Sequence, residues 1–249
     1  MELLFDTHPA IRTTDGFLRS VQSTPSIHPE PVIRPDSPAD ANGVSAYGTV
    51  LREDGRFRAW YQAMPANWDY KEDVSHVAYA ESDDGIHWTK PTLNLIDAGI
   101  GPNNICDLAL HCPSLFVDPD AAPEARYRAT GFLRPHHHPT ANKNLPMGYY
   151  SAHSTDGLHW QLEEKRLWPG CIGDVCTSIY HPVQRRAITA HKDTVRVNTM
   201  KRRCINIAEY RDGQFSESHA ALYPDEFDDV CAVSRGFRSA DYYGMGMMP

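Results

Sequence analysis

The sequence lacks most of the features that mark membrane, nucleic-acid and metal proteins. No apolar run among the 249 residues approaches the ~20 needed to span a bilayer, so no membrane partner is expected. The formal net charge is -8, and beyond the short cluster Lys201, Arg202, Arg203 there is no basic patch. That excludes the electrostatic footprint of a nucleic-acid surface, and the cluster itself reads as a solvated strand end. No Cys-x-x-Cys pair occurs among Cys106, Cys112, Cys171, Cys176, Cys204 and Cys231. Cys112, Cys176 and Cys231 lie in apolar, strand-like runs, so reduced core thiols are expected, with a disulfide or metal set as the alternative. The opening MELLFDTHPAIRTTDG has neither the basic nor the apolar region of a signal peptide, which makes a cytoplasmic location the default. The run His136, His137, His138 between two prolines has no zinc-ligand spacing and reads as a solvated loop; no metal or other cofactor is expected. No stretch longer than about ten residues keeps a helical period.

What is present is a repeat. SDDGIHW at 82–88 and STDGLHW at 154–160 place a Ser-x-Asp-Gly-x-His-Trp unit 72 residues apart, each after a strand-like run. Asp-Gly between alternating residues is a strong turn signal, because Gly accepts the positive φ such turns require. The following Trp can fold back and bury its ring. With 41% hydrophobic and 22% charged residues, the chain has the composition of a globular domain.

In chain order, five prolines between residues 24 and 40 exclude a helix interior or central strand, so residues 1–40 are expected to form an extended segment packed on the domain that follows. Strands are expected at 44–51, 57–63 and 76–81, with a short return through Trp88. The pattern returns at 113–117, 126–133, 148–153 and around Trp160, and again at 175–180, 186–191 and 204–210. There Arg211-Asp212-Gly213-Gln214-Phe215 carries Phe in place of Trp. A further strand is expected at 239–245. Four meandering strands per unit, repeated, predict an all-β propeller with units at about 41–98, 103–165, 172–220 and 230–249. A β-sandwich explains the strand spacing equally well, but not the return of one turn and one aromatic at the same place in each unit.

The segments GTVLREDGRFRAWYQ, VAYAESDDGIHWTKP, NNI, PSLFVDPDAAPEARYRA, YSAHSTDGLHW, DVCTSIYHPVQRRAI and SADYYGM, in that order, resemble the five-bladed propeller glycosidases. The resemblance is nearest to proteins with an N-terminal domain like that of glycoside hydrolase family 32, related to the invertase, levansucrase and arabinanase group. It covers roughly residues 27–249 and implies five blades, of which this chain supplies about three and the start of a fourth. A fragment of a longer protein, or a second copy covering the open edge, is therefore expected.

Glycoside hydrolysis requires one carboxyl group to protonate the leaving oxygen and another to activate water or attack carbon. The resemblance implies an Asp on each of the first two blades and a Glu on the third, where the innermost strands begin. The residues depart from that pattern. Asp40 lies just before the first inner strand, His111 and Cys112 stand at the second with Asp107 upstream, and Asp174 precedes the third with no Glu. Asp241 holds a like position at the fourth. Asp174 and Asp241 are accordingly the candidate catalytic pair, and Asp40, Tyr47, Asp107, His111 and Tyr242 the candidate sugar-contacting residues. Each acid can equally be a strand-initiating turn residue or a solvated rim group, and Asp84 and Asp156 read as turn residues. Trp60 and Tyr243 are better explained by packing than by sugar stacking. The expected partner is a carbohydrate, either hydrolysed or bound without catalysis.

Overall fold

In a computed structural model, residues 26–69, 72, 74–197 and 200–247 are described. Up to Pro31, the described residues 26–31 carry no helix or strand. From Val32 onward the chain is one unit of antiparallel strands. The first sheet is β1 (Gly43–Glu53), β2 (Arg56–Met64) and β3 (His76–Ser82), in that order. The return past Trp88 makes only a bridge between Glu81 and Thr89. The second is β4 (His111–Val117), β5 (Tyr127–Leu133), β6 (Gly148–Ser154) and β7 (Gln161–Glu163). The third is β8 (Cys176–His181), β9 (Arg186–Val197), β10 (Met200–Arg211) and β11 (Gln214–Phe215). In the third sheet β12 (His219–Leu222) also pairs with β10. Each sheet is a meander whose first strand lies innermost, and β4 packs against both β1 and β8. The three inner strands and Met247 surround a hollow of ≈ 650 Å³. This is the radial arrangement of a β-propeller, not two facing layers.

The repeated motif builds the same loop twice. In the first copy Ser82 Oγ accepts from Gly85 N–H (2.8 Å), Asp84 Oδ1 accepts from the N–H groups of Ile86 and His87 (2.8 Å each), and Trp88 Nε1–H donates to Gly85 O (3.0 Å). Ser154, Asp156 and Trp160 reproduce these bonds at 2.8–2.9 Å. Gly85 and Gly157 take φ of +77° and +80°. Asp212-Gly213 is a different turn, with both residues at positive φ, as at Asp54-Gly55.

Blades are joined by polar bolts inside apolar walls. Arg58 donates to Tyr79 Oη (2.8 Å) and Tyr127 Oη (2.5 Å), Tyr127 donates to Glu53 Oε2 (2.7 Å), and Trp60 Nε1–H reaches Gly157 O on the next blade (2.6 Å). Between the second and third blades, Trp168 stacks on His191 at 4.2 Å and 3°, while Phe116 meets Tyr180 and Tyr210.

Four expectations need correction. Residues 226–234 form helix α1 (Glu226–Ser234), opened by a capping box between Asp225 and Asp228, so Cys231 is an exposed helical thiol and not a core strand residue. Arg202 is no solvated strand end: 4% exposed in its side chain, it pairs with Asp229 of α1 at 2.8 Å. His138 is buried (5% exposed), so the histidine run is not a solvated loop. Residues 239–247 carry no strand. Cys112 and Cys176 are buried, as the sequence predicts.

Candidate functional site

The candidate residues lie near the points where the inner strands begin. β1 shifts register between Ser45 and Thr49, and β4 between His111 and Ser114. Such bulges re-aim side chains at barrel and propeller rims. At the second, Cys112 takes φ +47°, a strained value for a residue with a Cβ. Its N–H is held by Gln62 Oε1 (2.8 Å), whose Nε2 donates to Ser75 Oγ (2.6 Å).

Asp174 stands just before β8 because Gly173 allows the chain to press on β9. A Cβ at Gly173 would lie 2.2 Å from Lys192 O and 2.4 Å from the Tyr149 hydroxyl. That hydroxyl anchors the turn, 2.7 Å from Lys192 O and 3.1 Å from Val175 O. The Asp174 carboxylate is bonded by Lys192 Nζ and lies 3.8 Å from Arg134 Nη2, with 28% of its side chain exposed. Over the pair sits Tyr243, its ring 4.2 Å from Lys192 Nζ and 5.1 Å from Arg203 Cζ. Burial, then the charge of Asp174 and a hydrogen bond with Tyr47, push the Tyr243 phenol up to about 12. Tyr47, Asp174, Lys192, Arg134 and Tyr243 thus form one cluster.

Asp241 is a neighbour of this group, not a member of the Asp174 ion pair. Its carboxylate accepts from Arg203 N–H (3.0 Å) and lies 3.9 Å from both Arg202 and Arg203. Tyr242 turns to α1, donating to Asp228 (3.0 Å). Tyr243, which the sequence assigns to packing, is the tyrosine that joins the Asp174 group. Alternation cannot be read in a segment without a strand, so no signal distinguished the two tyrosines.

Asp40 is fully buried and accepts from Ser37 N–H and Oγ, Tyr61 Oη (2.8 Å) and Lys90 Nζ (2.5 Å). Burial would raise its pKa, but these donors, Lys90 foremost, outweigh that and lower it. It clamps residues 36–40 to the first sheet. Asp107 accepts from Thr140 Oγ1 (2.9 Å), which in turn lies 3.0 Å from His138 Nδ1. It lines a ≈ 180 Å³ cleft with Glu164, an acid the sequence reading did not single out. His111 lies 3.4 Å from Ser75 and lines a narrow pocket with Arg134, His137 and His138. Among the described residues no group of three His, Cys, Asp or Glu side chains can hold a metal ion, and no helix is long and apolar enough to cross a membrane.

No family model and no curated protein matches the chain. Solved structures do match. An exo-inulinase from Aspergillus awamori is 11% identical over 79% of this chain and 41% of its own, with a TM-score of 0.47. A glycosyl hydrolase from Bacteroides ovatus is 13% identical over 77% and 57%, at 0.46. A third, described as belonging to the GH130 family of mannoside phosphorylases with glycoside hydrolases that target β-1,2 mannosidic linkages in Candida mannan, is 14% identical over 78% and 59%, at 0.47. The chain spans less than two thirds of the length of each.

Proposed function

We propose that the protein binds a carbohydrate at the mouth of its axial hollow, with Asp174 as the carboxylate that meets the sugar hydroxyls. The observation that carries this reading is the joint position of Asp174, its two cations and the Tyr243 ring. A carboxylate fixed by Lys192 and Arg134 keeps lone pairs free for hydroxyl donors in a set orientation. Tyr243 and Tyr47, 41% and 40% exposed, offer apolar ring faces with a polar tip, as sugar sites require. The proteins named above act, by their descriptions, on glycosides, and the proposal adopts that class while resting on the residues.

The test is a glycan microarray followed by calorimetry on the parent, Asp174→Asn and Tyr243→Ala. At least a tenfold loss of affinity is expected for each variant. Variants that bind every sugar as the parent does would overturn the proposal.

A second reading, hydrolysis with Asp174 and Asp241 as acid and base, is favoured by one observation. Both acids border Tyr243, one through Lys192 and the other through Arg203. Hydrolysis requires the two carboxyl groups to be about 5 to 10 Å apart across the sugar. Release of reducing ends that disappears in both Asp174→Asn and Asp241→Asn supports this reading; release that survives either change rejects it.

A further inference from the structure

Helix α1 is amphipathic in the inverse sense: its polar side holds it to the body of the protein and its apolar side faces solvent. Asp228, Asp229 and Ala232 lie on one side of the helix and are half-buried. Asp229 pairs with Arg202 (2.8 Å) and accepts from Ala240 N–H (2.8 Å), and Asp228 accepts from the Tyr242 hydroxyl (3.0 Å). These bonds fix which way the helix is turned. Phe227, Val230 and Val233 recur every third residue on the outer side, and Phe237 follows just past the helix end; the four are 60–78% exposed. Single exposed apolar residues are ordinary on a protein surface, but a row of four along one short element marks a surface that another molecule covers.

The charges around the row identify the occupant. Asp225 and Glu226 stand exposed at the start of α1, and Arg235 and Arg238 stand exposed at and beyond its end. A face that is acidic at one end and basic at the other is complementary to its own reverse. Two copies of α1 laid antiparallel about a two-fold axis bring opposite charges together, whereas a parallel pairing sets acid on acid and base on base. With Val230 on the axis against Val230 of the second copy, Phe227 meets Val233 of the second copy and Glu226 lies beside Arg235 of the second copy. The apolar and the charged pairs therefore match in a single register. A bilayer is a poorer fit, because helices that lie on membranes carry Lys and Arg on their flanks, and here two acids adjoin Phe227. A peptide of one charge sign would satisfy only one end.

We propose that α1 is a docking face for a second copy of this chain, through an antiparallel two-fold helix pair centred on Val230. A nine-residue helix is about 14 Å long, and one face of it falls well short of the roughly 800 Å² per partner of a standard interface. The dimer is therefore weak and concentration-dependent. It is independent of carbohydrate binding.

Sedimentation velocity of the full chain, from micromolar to millimolar concentration, reads the association. The parent should pass from monomer to dimer across that range. Val230→Glu, which sets two carboxylates against each other at the axis, should stay monomeric. Glu226→Lys and Arg235→Glu should each weaken the dimer by about tenfold or more. An equimolar mixture of those two variants should recover the parent's affinity, because each then offers the charge that the other lacks. All three positions are exposed, so the variants should keep the parent's thermal midpoint, which circular dichroism checks. A parent that stays monomeric throughout overturns the proposal, as does a dimer that Val230→Glu leaves intact. Single charge variants that dimerise as the parent does, or a mixture that recovers nothing, overturn the antiparallel pairing.

Discussion

Gly85 and Gly157 hold the same position in the repeated loop, and replacing each by Ala separates two energies that a single variant would merge. Both glycines have left-handed φ, +77° and +80°, so either Ala incurs about 1–2 kcal/mol of backbone strain. Their surroundings differ. A Cβ at Gly85 meets the Phe57 ring at 3.6 Å, an ordinary contact. A Cβ at Gly157 falls 2.7 Å from Trp60 Cζ2 and 3.4 Å from Arg58 Nη2, on the neighbouring blade. Trp60 is 1% exposed and cannot withdraw without leaving Gly157 O, to which its indole is bonded at 2.6 Å. Overpacking of this kind costs about 1–3 kcal/mol, and the hydrogen bond adds about 1 kcal/mol. Gly85→Ala should therefore lose about 1–2 kcal/mol and Gly157→Ala about 3–6 kcal/mol. Urea unfolding followed by tryptophan fluorescence reads the difference, since Trp60 and Trp160 flank the second loop. Equal losses from the two variants, at equal slopes against urea, would refute the claim that the second copy bolts the first blade to the second.

Two further perturbations test the scaffold. His191 is 1% exposed, and its burial, opposed by the Lys192 carbonyl and Asp193, lowers its pKa to about 4. An unfolded histidine titrates near 6.5, so the stability this group contributes is complete above that pH and is lost as pH falls towards 4, up to about 3 kcal/mol. The slope of unfolding free energy between pH 6.5 and 4 should flatten in His191→Gln; an unchanged slope would exclude His191 as its source. Arg58→Met removes the cation that Glu53 and the Tyr79 and Tyr127 hydroxyls share, leaving a carboxylate with a 14% exposed side chain to Arg126 and the Tyr127 hydroxyl. A loss of about 3–5 kcal/mol in denaturant unfolding is expected, and a loss below about 1 kcal/mol would show the cluster to be solvated.

Much of the strand order was legible, because each strand carries its pattern in its own residues. Residues 57–63 and 148–153 alternate and end at turn residues, and they form β2 and β6. What escaped was decided by partners distant in sequence. Helix α1 buries none of its residues, so no core-facing stripe marks a helical period. The short apolar run around Cys231 mimicked a strand instead. The burial of His138 depends on His76, 62 residues away, whose ring meets it edge-on at 5.7 Å. Nothing near residues 136–138 announces that contact.

The acids at the strand starts show the same limit in a form that bears on function. Asp40 and Asp174 both precede an inner strand, and that position alone makes either equally suited to a clamp or a site. Asp40 follows Ser37, whose N–H and hydroxyl cap its carboxylate, and Tyr61 and Lys90 close over it until nothing is exposed. Every lone pair with a useful direction is then committed. Asp174 follows Gly173, which lets the backbone lie against β9, and its carboxylate is held by Lys192 and Arg134 while 28% of its side chain stays open. The residue before the acid, small enough for close approach in one case and a hydrogen-bonding cap three positions back in the other, separates a structural acid from one able to meet a ligand. By that criterion Asp174, and not Asp40, is the acid that the proposed carbohydrate site can use.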